Sequence, residues 1–296
     1  MIYITGHIYP TTDLDSIASS ILLPKFIKKK YNLESKAIYL GSKNTDLSKL
    51  ITRLGFSFPK RYTLNKDDLF ILVDHNLPTI SIDTKGYKNR IFGIVDHHRD
   101  KQTEYIKFKI IKKLGSCATI IYNLYKKNNI QINAREARLI YYAIIVDTLG
   151  LSVDATRKQD ILTISELKAK YETLPSIEFV LSEVFNFNSN KSIKQKLLED
   201  EKICTYKKNK IILSNIKTNG ELINIESIKK YLKTNFHLNV VMILDLKNKT
   251  TDIYYFGKLS KYFINKQYNK LLSRKRYLVP FIEKKIDKLV VLQWFW

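Results

Sequence analysis

The sequence lacks the features of disulfide-rich, secreted and membrane-spanning proteins. It has only two cysteines, Cys117 and Cys204, which lie far apart and favour reduced thiols over a disulfide framework. No run approaches the roughly 20 apolar residues that a membrane span requires, and the first residues form no secretory leader. We therefore expect a cytoplasmic protein with no membrane partner.

Acidic residues are scarce beside basic ones, at 28 against 51, which gives a formal charge of +23. Such an excess suggests an anionic partner, such as a nucleic acid, a membrane surface or a phosphorylated small molecule. Because lysine is scattered along the whole chain and no helix concentrates it, we expect no specific nucleic-acid groove. Apolar residues make up 45% of the 296, enough for the core of one large domain or two ordinary ones.

The first half of the chain alternates between strand-like and helical patterns, which predicts a parallel sheet with helices on both faces. The strand-like runs lie at 2–5, 37–40, 69–73 and 91–95. The helical patterns lie at about 15–30, 45–54, 116–128, 134–147 and 157–171, and Ser116 and Asn133 are predicted caps.

A polar stretch near 183–195 without apolar periodicity indicates a linker. Beyond it we predict strands at about 202–206, 210–216, 238–246 and 252–257, with helices at 225–235 and 258–272. The sequence therefore predicts an α/β domain over 1–185, a linker over 186–195 and a smaller α+β domain over 196–296.

Four of the five histidines lie beside aspartates at the ends of predicted strands, and only His237 stands apart. Ligands of open α/β sheets collect outside the carboxyl ends of the strands. The clusters are Gly6-His7 with Asp13 and Asp15, Val73-Asp74-His75-Asn76, Val95-Asp96-His97-His98-Arg99, and Ile145-Val146-Asp147-Thr148.

The residue types in these clusters suit a hard or borderline divalent cation. Carboxylate oxygen and imidazole nitrogen without thiolate favour Mn²⁺, Co²⁺ or Mg²⁺ over a structural zinc site. The candidates are too many for one ion, and two ions that share a carboxylate are typical of phosphate ester and anhydride hydrolysis. In the alternative interpretation, Asp13 and Asp15 only cap a helix and Asp147 only ends one.

These motifs resemble the DHH phosphoesterase superfamily and, within it, the manganese-dependent (family II) inorganic pyrophosphatases. The resemblance also covers Gly115-Ser116-Cys117-Ala118-Thr119 and Ala143 to Asp147. In the second domain, Asp200-Glu201-Lys202 and Ser273-Arg274-Lys275 with Pro280 resemble the DHHA2 domain.

The resemblance implies hydrolysis of pyrophosphate to two orthophosphates by a hydroxide that bridges two or more Mn²⁺ ions, with Co²⁺ or Mg²⁺ as alternatives. One ion would be held by His7, Asp13 and Asp74, and the other by Asp15, Asp74, His97 and Asp147. His98 would protonate the leaving phosphate, and Lys202, Arg274 and Lys275 would bind phosphate oxygens together with it. His75 and Asp96 are expected to support the ligands without binding metal.

The first motif departs from the family, because Asp13 follows His7 by six positions and the family has four. In the helix register, Asp13 and Asp15 are the ligands and His7 reaches the metal from a longer loop. In the strand register, Thr11 and Asp13 take those positions and one ligand is lost. We favour the helix register, because Asp13 to Ala18 reproduces the family's helix start.

Two other functions stay open. An exopolyphosphatase or another DHH-family phosphodiesterase would use the same metal chemistry, although His7 and the absence of a Gly-Gly-His motif argue against them. A non-enzymatic polyanion-binding protein would use the +23 charge. A homodimer is also left open.

Overall fold

The sheet predicted for the first part of the chain is present and entirely parallel. The computed structural model describes residues 1–8, 12–41, 45–77, 88–100, 106, 108–185 and 191–293, without the side chains of residues 275 and 290–293. The first five strands are β1 (Ile2–Thr5), β2 (Ser35–Ile38), β3 (Leu69–Val73), β4 (Ile91–Asp96) and β5 (Phe108–Ile111). They lie in the order β2-β1-β3-β4-β5. Nothing in its four-residue pattern predicts the edge strand β5.

The described residues that accompany this sheet also form helices, some of which begin at a capping side chain. The helices are α1 (Leu14–Tyr31), α2 (Thr45–Arg53), α3 (Cys117–Lys127), α4 (Ala134–Asp147), α5 (Lys158–Lys170) and α6 (Ile177–Phe185). The predicted caps are confirmed, since Ser116 accepts from the Ala118 amide and Asn133 forms a capping box with Glu136. The sequence did not predict α6.

Both faces of the parallel sheet are buried, which explains why its strands are unbroken apolar runs. One face, including Ile4 and Val95, packs on apolar residues of α1, α3 and α4. The other face, including Tyr3 and Phe70, belongs to a second apolar cluster. The polar side chains of the strands are therefore confined to the strand ends.

The chain divides into two compact units, one of residues 1–151 with 156–184 and one of residues 152–155 with 185–296. The second unit has five strands in the order β10-β9-β8-β7-β6, of which only the β7/β8 pair is parallel. Its elements are α7 (Ile193–Glu199), β6 (Glu201–Tyr206), β7 (Asn209–Thr218), α8 (Ile225–Lys229), β8 (Leu238–Asp245), β9 (Thr250–Phe256), β10 (Lys266–Tyr268) and α9 (Val279–Gln293). Helix α7 begins within the predicted linker, whose residues 186–190 lie outside the described residues.

The predicted helix over 258–272 is wrong. The segment holds a 3-10 turn at Ser260–Tyr262 and then β10, which pairs with β9. The physical reason is a side-chain bond: Asn265 Oδ1 accepts from the Tyr255 amide at 2.9 Å, which holds the segment against the edge of β9. Helix α8 ends at Lys229, short of the predicted 235, and α9 follows a π-helical turn at Arg274–Leu278.

The described residues bear on the expectations of no membrane-spanning segment and no disulfide. None of their helices is long and apolar enough to cross a bilayer. Neither Cys117, which is buried, nor Cys204, which is exposed, is in a disulfide. The thiols are therefore reduced, as predicted.

Candidate metal centre

Three neighbouring parallel strands end at the same edge of the first sheet and carry the central residues of the site. His7 lies two residues after β1, Asp74 directly follows β3, and His97 directly follows β4. Because β1, β3 and β4 are adjacent and parallel, their carboxyl ends bring these three side chains together.

Asp74 lies at the middle of the cluster in an unusual backbone conformation. Its φ is 61°, in the left-handed region that costs a side chain other than glycine roughly 1–3 kcal/mol. Its amide donates to the Val95 carbonyl at 3.0 Å, which holds the turn against β4. The buried carboxylate lies 3.4 Å from His7 Nε2 through Oδ2 and 3.0 Å from His97 Nε2 through Oδ1. The strained turn therefore points one carboxylate at two imidazoles.

Asp13 is both the cap of α1 and a neighbour of His7. Its Oδ1 accepts from the Ser16 amide at 3.0 Å, and its Oδ2 lies 3.2 Å from His7 Nε2. The His7 amide in turn donates to the Ser16 hydroxyl at 2.9 Å. A Cβ at Gly6 would collide with that hydroxyl, so glycine is required for this close approach. The start of α1 is thus tied directly to the end of β1.

Asp15, in the first turn of α1, is held by the N-terminus of α3. Its carboxylate accepts from the Ser116 hydroxyl at 2.7 Å, the Cys117 amide at 2.6 Å and the Ala118 amide at 2.8 Å. Backbone donors at a helix N-terminus stabilise negative charge. Oδ2 of Asp15 also lies 4.0 Å from His97 Nε2.

Asp147 completes the cluster from the last residue of α4, with Oδ2 at 3.5 Å from His97 Nε2. In the described part of the chain, candidate ligand atoms lie within 4.8 Å of one another in three groups: His7, Asp13 and Asp74; Asp15, His97 and Asp147; and Asp74, Asp96, His97 and His98. The structure thus brings together all six residues predicted as metal ligands. Thr11, the ligand of the strand register, lies outside the described residues.

The charges of this cluster are unbalanced without a cation. Burial would lower the pKa of His7, but Asp13 and Asp74 raise it to about 9. Burial likewise opposes a charge on His97, yet Asp74, Asp147 and Asp15 raise its pKa. Burial and the carboxylates of Asp74 and Asp147 raise the pKa of Asp15. In the metal-free protein, protons therefore partly offset four crowded carboxylates.

Three buried polar atoms of the cluster, His7 Nδ1, Asp74 Oδ1 and His97 Nε2, make no hydrogen bond of normal geometry in the described part of the chain, although the last two lie 3.0 Å apart. Buried polar atoms are normally bonded. Asp74 Oδ1 and His97 Nε2 both face the centre of the cluster, where a divalent cation would satisfy them. The donor set of carboxylate oxygen and imidazole nitrogen fits such a cation.

Asp96 holds His98 in place, and one of its oxygens lies within 4.8 Å of ligand atoms of Asp74, His97 and His98. Its Oδ1 accepts from the His97 amide at 2.7 Å and from His98 Nδ1 at 2.7 Å, and its Oδ2 accepts from Asn76 Nδ2 at 2.6 Å. Burial would raise the pKa of Asp96, but the adjacent His98 holds it at about 2. Both oxygens are thus occupied by the chain itself. The same bond fixes the His98 ring, so that Nε2 is the nitrogen turned away from Asp96.

His75 is buried beside the cluster, with Nδ1 at 2.8 Å from the Val73 carbonyl. Its ring meets that of His7 edge to face at 6.4 Å. Burial and the neighbouring His7 lower the pKa of His75 to about 4, so the ring is neutral at physiological pH. It packs against the candidate ligand His7 and contacts the backbone of Val73.

The three basic residues predicted to bind substrate all belong to the second unit. Lys202 lies on β6, and Arg274 begins the π-helical turn, buried and bonded to Asp200 at 2.6 Å. The side chain of Lys275 lies outside the described residues. The structure brings Lys202 and Arg274 to a common neighbour, since both lower the pKa of Asp200.

Sequence reasoning missed the residues that hold the site in place. Asp160, buried in α5, accepts from the Gly115 amide at 2.8 Å and the Thr119 hydroxyl at 2.6 Å, which fixes the α3 N-terminus that binds Asp15. Asp160 also fills the third position of its own helix, where an acidic residue is common. From the sequence alone, an Asp160 that holds the N-terminus of α3 looks the same as one that only caps α5.

Parts of this chain are similar to a known protein family and to individual known proteins. Residues 1–144 match the DHH family, N-terminal domain. A Streptococcus agalactiae protein named "Probable manganese-dependent inorganic pyrophosphatase" is 26% identical over 273 residues, 86% of each chain. One of the same name from Streptococcus equi subsp. zooepidemicus is 32% identical over 165 residues, 54% of this chain and only 52% of that relative.

Solved structures share the fold across both units. The crystal structure of a Methanococcus jannaschii protein, provisionally described as a family II inorganic pyrophosphatase, has a TM-score of 0.74 at 24% identity and covers 96% of this chain and 99% of its own. An exopolyphosphatase-related protein from Bacteroides fragilis has a TM-score of 0.52 at 17% identity, covering 98% and 93%. Residues 1–144, just under half of the chain, are thus similar to the N-terminal domain of the DHH family.

Proposed function

We propose that this protein is a manganese-dependent inorganic pyrophosphatase, which hydrolyses pyrophosphate to two orthophosphates. The observation that carries the proposal is the convergence of four carboxylates and two imidazoles around Asp74 at the sheet edge. The names of its relatives from two Streptococcus species support the choice of metal and substrate.

We assign His7, Asp13 and Asp74 to one cation and Asp15, Asp74, His97 and Asp147 to a second. Asp74 can serve both, because its two oxygens face different histidines. Nitrogen ligands favour Mn²⁺ or Co²⁺ over Mg²⁺. When bound, such ions would neutralise phosphate charge and activate the attacking water.

His98 is the proposed proton donor to the leaving phosphate. Its Nδ1 donates to Asp96, which fixes the tautomer and stabilises the protonated ring, so that Nε2 is left to carry the transferred proton. Asp96 stays ionised throughout, because its pKa is held at about 2. We propose that Asp96 positions His98 and does not itself contact substrate.

Lys202, Arg274 and Lys275 are the proposed contacts to phosphate oxygens. Pyrophosphate carries several negative charges, and paired cations both attract it and relieve the repulsion felt by an attacking water. Arginine offers a forked pair of donors and lysine a compact charge, so the set can bind both bridging and terminal oxygens. In this proposal the first unit performs the reaction and the second binds the substrate.

The test is hydrolysis of pyrophosphate, tripolyphosphate, long polyphosphate and a dinucleotide, each with Mn²⁺ and with Mg²⁺. Phosphate release measures the first three, and mononucleotide formation measures the dinucleotide. We expect the highest kcat/KM for pyrophosphate and tighter binding of Mn²⁺ or Co²⁺ than of Mg²⁺. An Asp74→Asn variant, which keeps the shape of the side chain, should be inactive and excludes a contaminating phosphatase. A tenfold or greater preference for long polyphosphate or the dinucleotide would replace this function with one of the two phosphodiesterase alternatives.

A further inference from the structure

The second unit holds a cluster of charges centred on Asp200. Oδ1 of Asp200 accepts from Arg274 Nη2 at 2.6 Å, and its carbonyl accepts from Arg274 Nη1 at 2.7 Å. Oδ2 accepts from Lys217 Nζ and from Asn215 Nδ2, both at 3.2 Å. One carboxylate therefore holds an arginine and a lysine that are 57 positions apart in sequence.

The cluster lies on a single face of the second sheet. Lys202 of β6 is paired with Leu213 of β7, and the Asn215 amide donates to the Asp200 carbonyl at 3.3 Å. Since alternate residues of a strand share a face, Asp200 and Lys202 lie on the same face as Asn215 and Lys217. Burial would raise the pKa of Asp200, but Lys217, Arg274 and Lys202 hold it below its usual range.

Positive charge is in excess among the groups bonded to Asp200. Arg274 and Lys217 both bond to this single carboxylate, so the three groups together carry a net charge of +1. The two bonds to Asp200 use only two of the five N–H donors of Arg274, and one of the three of Lys217. A phosphate group has the negative charge and the acceptor oxygens to bind the other N–H donors of Arg274 and Lys217.

We propose that Lys217 is a further phosphate-binding residue and that Asp200 positions it together with Arg274. The proposal rests on the pyrophosphatase function proposed above, and it adds a cation that belongs to none of the motifs. Without Asp200, the two cations would repel each other. With it they are held together, and Lys217 also stacks over the Phe185 ring at 5.2 Å, so less freedom is lost when the anion binds.

The first test compares Lys217→Ala with Lys233→Ala. Lys233 is a matched control, because it also pairs with a carboxylate of this sheet, Glu201, at 2.6 Å, but Glu201 lies on the opposite face from its neighbours Asp200 and Lys202. We expect Lys217→Ala to raise KM for pyrophosphate about tenfold, as for the loss of one charge-assisted hydrogen bond, with kcat within twofold. Lys233→Ala should change neither constant.

The second test addresses the positioning role of Asp200. Asp200→Asn should raise KM about as much as Lys217→Ala with kcat retained, and Asp200→Glu, which keeps the charge, should recover part of the loss. A merely structural role would lower the thermal unfolding temperature of both variants without separating KM from kcat.

A metal-free measurement separates this proposal from the proposed function. In excess EDTA, calorimetry should detect pyrophosphate binding by the wild type and weaker binding by Lys217→Ala. If the wild type binds in this way but releases no phosphate with any divalent cation, the enzymatic function fails while the anion site stands. The site proposal is overturned if the wild type does not bind in EDTA, or if Lys217→Ala matches Lys233→Ala in both affinity and KM.

Discussion

Asp15 is the residue whose role differs most between the two registers of the first motif. It is buried among three donors of α3 and lies 4.0 Å from His97, so we expect Asp15→Ala to lower kcat at least a hundredfold and Thr11→Ala to have a mild effect. Losing a ligand should cost several kcal/mol of transition-state stabilisation, and each 1.36 kcal/mol is about tenfold in rate. Steady-state kinetics and Mn²⁺ titration of both variants measure this.

A folded Asp15→Ala enzyme that binds two ions and keeps most of its kcat would overturn the helix register. Circular dichroism is the necessary control, because the substitution also leaves three buried donors without their acceptor.

The raised pKa of His7 predicts that the protein releases a proton when metal binds. In the metal-free protein the pKa of His7 is about 9, so below that pH the ring holds a proton that a cation must displace. Mn²⁺ affinity should therefore rise with pH to at least about 9, since the pKa of the second proposed histidine ligand, His97, is also raised. Calorimetry in two buffers of different ionisation enthalpy counts the protons, and we expect at least one at pH 7. Asp13→Asn should make the dependence shallower, whereas an unchanged slope would assign the proton to another group.

Among the helices, α3 depends on Asp160 of α5 for the position of its N-terminus. Asp160→Ala leaves the Gly115 amide and the Thr119 hydroxyl without their buried acceptor, which should cost about 2–4 kcal/mol of unfolding free energy. Because the same turn binds Asp15, Mn²⁺ affinity should fall as well. Urea unfolding and metal titration measure the two effects.

Glu166→Ala is the control on the same helix. Glu166 is partly exposed and pairs with Lys126 at 2.6 Å, and surface pairs of this kind contribute less than about 1 kcal/mol. Equal losses for the two variants would mean that Asp160 is no more than a helix-capping residue.

Capping residues and apolar runs were sufficient to predict the helices and strands that carry them. Ser116 and Asn133 mark helix starts, and the long apolar runs of β3 and β4 mark a sheet covered on both faces. The same rules failed for 258–272, where the bond between Asn265 and Tyr255 overrides the helical pattern. They also failed for α9, because the preceding π-helical turn at Arg274–Leu278 has no known sequence pattern.

His7, Asp74 and His97 were predictable because each lies just after an apolar strand-like run, which places it at the sheet edge. Asp13, Asp15 and Asp147 lie at helix ends and were predicted from the motifs they share with the family. Asp160 and Lys217 were not, since their partners lie 45 and 17 positions away and only the folded chain brings them together. Lysine is also too common in this sequence for one lysine to stand out. Sequence thus reveals the ligands better than the residues that hold them.

At the scale of the whole chain, the proposed metal ligands and the proposed phosphate-binding cations belong to different units. All six proposed ligands lie within residues 1–151, whereas Arg274 and Lys275 lie in the second unit. Arg274→Ala and Lys275→Ala should therefore raise KM for pyrophosphate at least tenfold with little change in Mn²⁺ affinity. Arg276→Ala, in the same turn, is the matched control and should leave KM within twofold.

Calorimetric Mn²⁺ titration decides whether the two roles are separate. A tenfold or greater loss of Mn²⁺ affinity in Arg274→Ala or Lys275→Ala would show that metal binding and substrate binding share residues.

Asp13 bonds the Ser16 amide and also faces His7, so this amide can report binding of the cation assigned to His7, Asp13 and Asp74. One carboxylate oxygen accepts from the Ser16 amide while the other faces His7, so a cation on the second oxygen withdraws electron density from the first. The Ser16 amide proton should then shift upfield in a nitrogen–proton correlation spectrum as diamagnetic Mg²⁺ is added. Because this amide belongs to the backbone, the same resonance can follow occupancy of that position in Asp15, Asp147 and His97 variants, in which activity no longer reports it.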